Sequence, residues 1–199
     1  MRRREFICLI GCATTWPFSA LAQQHKVPLV GFLHFGSRHT FEYQVAAFNQ
    51  GLKDTDYVDG QNAAIEYRWA EGRYDRLPAL AADLVSRKVD VITAIGPVCA
   101  SAAKNATSAI PIVFTTGTDP VRDGLVTNLA RPTGNLTGVS ILAVQLVPKR
   151  LELLSELVPQ ARRFGLLVNP ANGYANPMIR DVQEAARGKG VDQIGRAHV

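Results

Sequence analysis

Three short stretches of this sequence place glycines, hydroxyls or a proline directly after apolar, β-branched runs. They are Phe35, Gly36 and Ser37; Gly96, Pro97 and Val98; and Thr115, Thr116 and Gly117, with Thr118, Asp119 and Pro120 behind them. A loop of this kind at a strand end presents backbone N–H groups. Where a helix follows, its first-turn amides and its dipole favour a carboxylate or another anionic group. The hydroxyls of Ser37 and Thr116 either bind a small molecule or cap the next helix. Phe35 offers a ring that either stacks on an aromatic or apolar ligand or plugs the end of the core. Asp119 either caps a turn or pairs with an amine. Asn169, after a later apolar run, is placed to reach across a cleft, with Tyr174 as a second candidate. The chemistry in view is recognition of a small zwitterionic or carboxylate solute.

Residues for catalysis are not arranged to do it. Outside the last seven residues the histidines are His25, His34 and His39, and none stands in a nucleophile or metal motif. Cys99 reads as a small apolar residue at a helix start, and Cys8, Cys12 and Cys99 have neither metal-ligand spacing nor a disulfide framework. Gly31, Gly36 and Gly96 form no dinucleotide or Walker fingerprint. We therefore expect no enzyme activity, no cofactor and no metal. The net charge of +5 comes from scattered Lys and Arg with no basic-aromatic stripe, which argues against nucleic acid.

The elements that must hold those loops follow from hydropathy. With 47% hydrophobic and 20% charged residues, the chain can bury a core. Apolar runs at 27–33, 89–95 and 110–114 read as buried strands, and 63–68 alternates as another. Between them, Phe41, Val45, Phe48 and Leu52 fall on one helix face, with Gly51 allowing close packing. Leu77, Leu80, Ala81 and Leu84 fall on another, with Asp75 as its N-cap and Pro78 in the first turn. An alanine-rich helix spans 100–106. Strands alternating with helices imply a parallel sheet with right-handed crossovers. The segment Arg131, Pro132, Thr133, Gly134 turns the chain before another β-rich run to 142, read as the exit from a first lobe. In an open parallel sheet, ligands sit beyond the carboxyl ends of the strands, where the three loops lie.

After residue 142 the pattern restarts. A helix is expected over 144–157, with Leu151, Leu154 and Leu157 as its stripe supported by Val147 and Val158, then a strand over 164–168 and a helix over 176–187. The expected organisation is an N-terminal lobe at 23–142 and an incomplete second lobe at 143–192. Residues 193–199 have neither strand nor helix periodicity and are read as a tail foreign to the protein.

At the other end, Arg2, Arg3 and Arg4 precede an apolar stretch, and Ala20, Leu21 and Ala22 form a small-residue cleavage site. Residues 1–22 read as an export signal, by a twin-arginine or a Sec route. Its removal takes away three Arg and one Glu, leaving a net charge of +3. The apolar run is well short of the ~20 residues of a membrane span, so no stable membrane insertion is expected.

Several stretches taken together resemble one family: VPLVGFLHFGS, the run FNQGLKDTDYVDGQNAAIEYRW, then AIPIVFTTGTDPVRDGLV, RPTGNLTGVSIL, KRLELLSELVP and LLVNP. They are similar to the ABC-transporter substrate-binding proteins of the type linked to tryptophan and other amino-acid-like or aromatic ligands, over residues 1–191. The resemblance implies an α/β fold of the type I periplasmic-binding kind, in which two lobes with Rossmann-like parallel sheets close on a solute. It also implies a periplasmic location, an ABC permease with its ATPase subunit as partners, and no catalysis. Two departures stand out. Asp56 occupies a position after the first helix where the family usually has glycine, and Pro97 with Val98 replaces hydroxyl or small residues.

Two rivals share the fold. A Rossmann-like or flavodoxin-like enzyme would need a nucleotide loop that is missing. The sensory domain of a transcriptional regulator would need an N-terminal helix-turn-helix where the signal stands.

Overall fold

The structure is a computed structural model describing residues 27–132, 134–170, 172, 175–189 and 192–197. The export signal, Cys8, Cys12, His25 and Tyr174 lie outside the described residues.

Five strands form the first sheet: β1 (Leu29–His34), β2 (Ala64–Trp69), β3 (Val91–Ile95), β4 (Ile112–Thr116) and β5 (Leu136–Ser140). Their order is β2-β1-β3-β4-β5 and every pairing is parallel. All five carboxyl ends therefore share one edge. The helices are α1 (Glu42–Lys53), α2 (Leu77–Ser86), entered through a 3-10 turn at Tyr74–Arg76, and α3 (Pro97–Ala106).

Helices cover the two sheet faces unequally. Strand parity sends Leu33, Ile92, Ala94, Ile112 and Phe114 toward α2 and α3, where Leu77, Ala81, Leu84, Ala100 and Ala103 complete a buried cluster. Each large aliphatic side chain there contributes about 1.5–3 kcal/mol on burial. A Cβ on Gly31 would meet Leu84 Cδ1 at 3.0 Å, so the missing side chain lets α2 lie close to β1. The opposite face carries aromatic side chains over β1 and β2: Phe32 packs on Phe48 of α1, Tyr67 and Trp69 with ring centroids 5.1–5.6 Å apart. Over β4 and β5 that face is open, with Val113 40% and Val139 61% exposed.

Two local expectations are corrected. Nothing lies within 4 Å of a Cβ on Gly51, so that glycine serves no close packing. Asp75 does not cap α2: its carboxylate pairs with Arg73 at 2.9 Å, and the capping position, Arg76, makes no side-chain cap. Asp56 does take the left-handed conformation, at φ 64°.

Beyond β5, α4 (Val147–Leu157), β6 (Arg163–Leu167), α5 (Ala175–Lys189) and β7 (Asp192–Ala197) follow. β6 pairs in parallel with β7 in a second sheet and not with β1. Three readings change here. The segment at 192–197 is a strand, although its side chains carry no period, because backbone pairing with the β6 edge suffices. The Leu151, Leu154, Leu157 stripe is buried only at Leu151, which packs with Val182 and Ala186 of α5, while Leu154 is 47% and Leu157 78% exposed. Steps of three residues fall about 60° short of a full turn each, so the row rotates off the α4–α5 seam. The helix itself starts at Val147 rather than Val144, which sits in the preceding turn.

Candidate functional site

The three candidate loops adjoin because β1, β3 and β4 are neighbours with a common direction. Gly96 N donates to Thr115 O at 2.8 Å, and a Cβ on Gly96 would lie 3.2 Å from Phe35 Cδ1. Gly96 has φ 92° as the N-cap of α3, a conformation that favours glycine. Pro97 follows with no N–H, which leaves the free first-turn amides of α3 to begin at the half-buried Val98.

The loop after β1 is tightly tied. Ala70 N, Glu71 N and Gly72 N donate to the carbonyls of His34, Gly36 and Phe35 at 2.9–3.1 Å. Gly36 N donates to His34 Nδ1 at 2.8 Å, so this amide is already used within the loop. A Cβ on Gly36 would come within 2.2 Å of Phe41 Cε2. Phe35 is half-buried, stacked on His34 at 4.7 Å and edge-on to Phe41 at 5.4 Å. Ser37 Oγ is paired with Thr40 Oγ1 at 2.9 Å, closing the turn before α1.

In the loop after β4, Thr116 is 2% exposed, and its hydroxyl accepts from Thr118 N at 3.1 Å and pairs with Thr118 Oγ1 at 2.7 Å. Of its two sequence readings, the turn-holding one is occupied. Thr115 is exposed on the open face of the sheet. Asp119 Oδ1 accepts from Val121 N at 2.9 Å and Arg122 N at 3.3 Å, the geometry of a turn cap. Thr118 Oγ1 donates to Asp123, whose carboxyl is raised above the ordinary aspartate value by burial, against the lowering effect of that bond. Asn169 lies in the second sheet's half of the chain, two residues past β6.

What sequence reasoning missed is the connection between the two sheets. Ile141 N and Val144 N donate to Thr116 O and Gly117 O at 3.0 Å, and Ser140 Oγ donates to Thr118 O at 2.7 Å. The linker is thus strapped to the loop after β4. Arg122 of that loop grips Asp181 of α5 through two bonds. A hollow of about 20 Å³ between Asp119, Arg122, Gln145 and Met178 has room for about one water. A larger cavity, about 590 Å³, lies at the amino-terminal side of β5 beside Asn135 and Leu136, away from the three loops. Two of its polar side chains serve the fold: Lys104 donates to Gly124 O and Leu125 O, and Asn135 Nδ2 to Thr107 O and Ile110 O. Among the described residues no group of His, Cys, Asp and Glu could hold a metal ion. Cys99 is buried, and burial pushes its thiol far above the usual range.

Residues 29–194 match the family described as ABC transporter substrate binding protein. The chain belongs to that family. A tyrosine-binding protein of Clostridioides difficile (strain R20291) is 36% identical over 140 residues, which are 70% of this chain and 40% of that protein. Among solved structures, a conserved domain protein of Vibrio cholerae superposes with TM-score 0.78 at 28% identity, covering 87% of this chain and 58% of that one. An ABC domain from Streptococcus pneumonia in complex with L-Trp superposes at 0.73 with 24% identity, covering 86% and 57%. This substrate-binding protein thus has the type I periplasmic-binding fold and spans 40–58% of the length of these relatives. No described helix is long and apolar enough to cross a membrane.

Proposed function

We propose that this substrate-binding protein is the exported solute-capturing component of an ABC importer, taking a small amino-acid-like or aromatic solute and delivering it to a membrane permease and its ATPase. The observation that carries the reading is the convergence of three strand-end loops on one sheet edge, in a chain of this family. The solute would lie against Phe35, Gly36, Ser37, Gly96, Pro97, Val98, Thr115 and Thr116, with Asp119 at the margin and Asn169 reaching from a second lobe that begins in residues 143–192. The tyrosine-binding relative and the L-Trp complex support an amino-acid-like ligand. Cleavage after Ala22 would release the protein into the periplasm, and N-terminal sequencing of the secreted form reads that directly.

Closure of two lobes on a solute needs both halves of the cleft. A thermal-shift and calorimetric screen of amino acids and aromatic acids should therefore give a clear shift with the protein extended to its relatives' length. Solute at about a hundred times Kd stabilises a binder by about 2.7 kcal/mol. The 199-residue chain should bind far more weakly. No shift with any of these solutes in the longer protein overturns the reading.

A further inference from the structure

We propose that His34 is the positioning residue of the binding loop at 35–37, its neutral ring accepting from Gly36 and donating to Gln44, so that adding a proton to the ring undoes the loop. His34 ends β1 with none of its surface exposed. Gly36 N lies 2.8 Å from Nδ1 and Gln44 Oε1 lies 2.9 Å from Nε2. A backbone N–H only donates, so Nδ1 must carry a lone pair and the proton sits on Nε2, aimed at the amide oxygen of Gln44. On an imidazolium both nitrogens carry hydrogen. Two donors would then face each other at Gly36, and the loop would have to give way.

The ring has little freedom to escape. It lies 4.3 Å from the Phe41 ring, 4.7 Å from Phe35 and 4.9 Å from Trp69, with Phe32 stacked at 6.1 Å. These neighbours, from β1, the following turn and β2, are uncharged, as is Gln44 from α1. Other polar groups nearby are engaged elsewhere: Arg38 lies over the Tyr67 ring at 5.7 Å, and the His39 ring faces Glu42 on the exposed turn. No carboxylate among the described residues therefore stands ready to accept the extra proton's charge. Burial lowers the imidazole below its ordinary 6.5, and the Gln44 bond only partly offsets this. With the folded value depressed, the contribution of this group to stability is lost as pH falls below 6.5.

The consequence for solute rests on the proposed function, since Phe35 and Ser37 are contacts only under that reading. The test separates the two. On the unmodified chain, long-range ¹⁵N correlation of the His34 ring should show hydrogen on Nε2 alone near neutral pH, and exchange of the Gly36 amide should accelerate roughly tenfold or more beyond the intrinsic pH effect as pH is lowered until the ring spectrum shows the second hydrogen. His34→Asn keeps an acceptor for an N–H two residues on and should hold Gly36 protected without that pH dependence. His34→Phe keeps a ring but no acceptor and should expose Gly36 at every pH. A hydrogen found on Nδ1, or Gly36 protection equal in His34→Phe and the unmodified chain, overturns the proposal; if His34→Phe fails to fold, the ring spectrum still decides. These readings need no solute, so absence of solute binding with the expected spectra defeats the functional reading and leaves this one standing.

Discussion

Arg122 and Asp181, 59 residues apart in the chain, meet in a bidentate ion pair, Nη1 to Oδ2 at 2.8 Å and Nη2 to Oδ1 at 3.2 Å. One belongs to the loop after β4 and the other to α5, so the pair joins the two sheets' portions of the molecule. The guanidinium holds the Asp181 carboxyl below its usual 3.8, so the bridge acts above that value and is lost as pH falls through the depressed one. Both groups remain partly exposed, and salt should weaken the pair. Asp181→Asn should enlarge the radius of gyration in low salt and remove its salt dependence, and the exchanged pair Arg122→Asp with Asp181→Arg should restore both. Small-angle scattering reads this, and an unchanged radius in Asp181→Asn would show that the pair does not set the arrangement.

Two glycines should respond to alanine in opposite directions. At Gly138 the added Cβ would come 2.1 Å from the Phe114 carbonyl oxygen, which is sheet backbone and cannot swing aside. Gly138→Ala should cost about 1–3 kcal/mol or more. At Gly51, in α1 with nothing nearby, alanine should gain about 0.5–1 kcal/mol. Urea denaturation midpoints measure both.

Asp56 holds φ 64° just after α1, where Tyr57 N reaches back to Leu52 O at 2.9 Å. That geometry is a helix stop which favours glycine. Asp56→Gly should stabilise by about 0.5–1 kcal/mol with no change in the denaturant slope. A loss of stability would mean that the Asp side chain supports the turn.

Asp123 should make stability fall with rising pH. Its folded value lies above 3.8, mainly through burial, so the native state holds this proton more tightly than the unfolded chain does. The group's contribution is full below 3.8 and declines as pH rises through the folded value. Asp123→Asn, still able to accept from Thr118, should be the more stable protein at neutral pH and lose its advantage in acid. Denaturation midpoints across pH would reveal equal profiles if the carboxylate is better solvated than this.

The strands of the first sheet were legible because runs such as Ile112, Val113 and Phe114 carry a parallel sheet's continuous apolar signature. The loops at their ends were legible from Gly96 and from the threonines after β4. Hydroxyl roles were not: Thr116 and Ser37 have the same residue chemistry whether they meet a solute or a neighbouring hydroxyl, and only coordinates show the partners at 2.7 and 2.9 Å. β7 was invisible because its order comes from the β6 edge. The Arg122–Asp181 pair left no trace in spacing, since folding alone brings those residues together. His34 did leave one, as a lone polar ring inside an apolar run.

Val113 and Val139 lie diagonally, two register positions apart, on the face of β4 and β5 that no helix covers among the described residues. A chain carrying such a strip has a solubility that depends on how crowded the solution is. Dilution favours solitary molecules, and concentration favours molecules that shelter one another's valines. Sedimentation at rising concentration would see the second population appear, and any affinity measured there would be that of a sheltered species rather than of the lone chain.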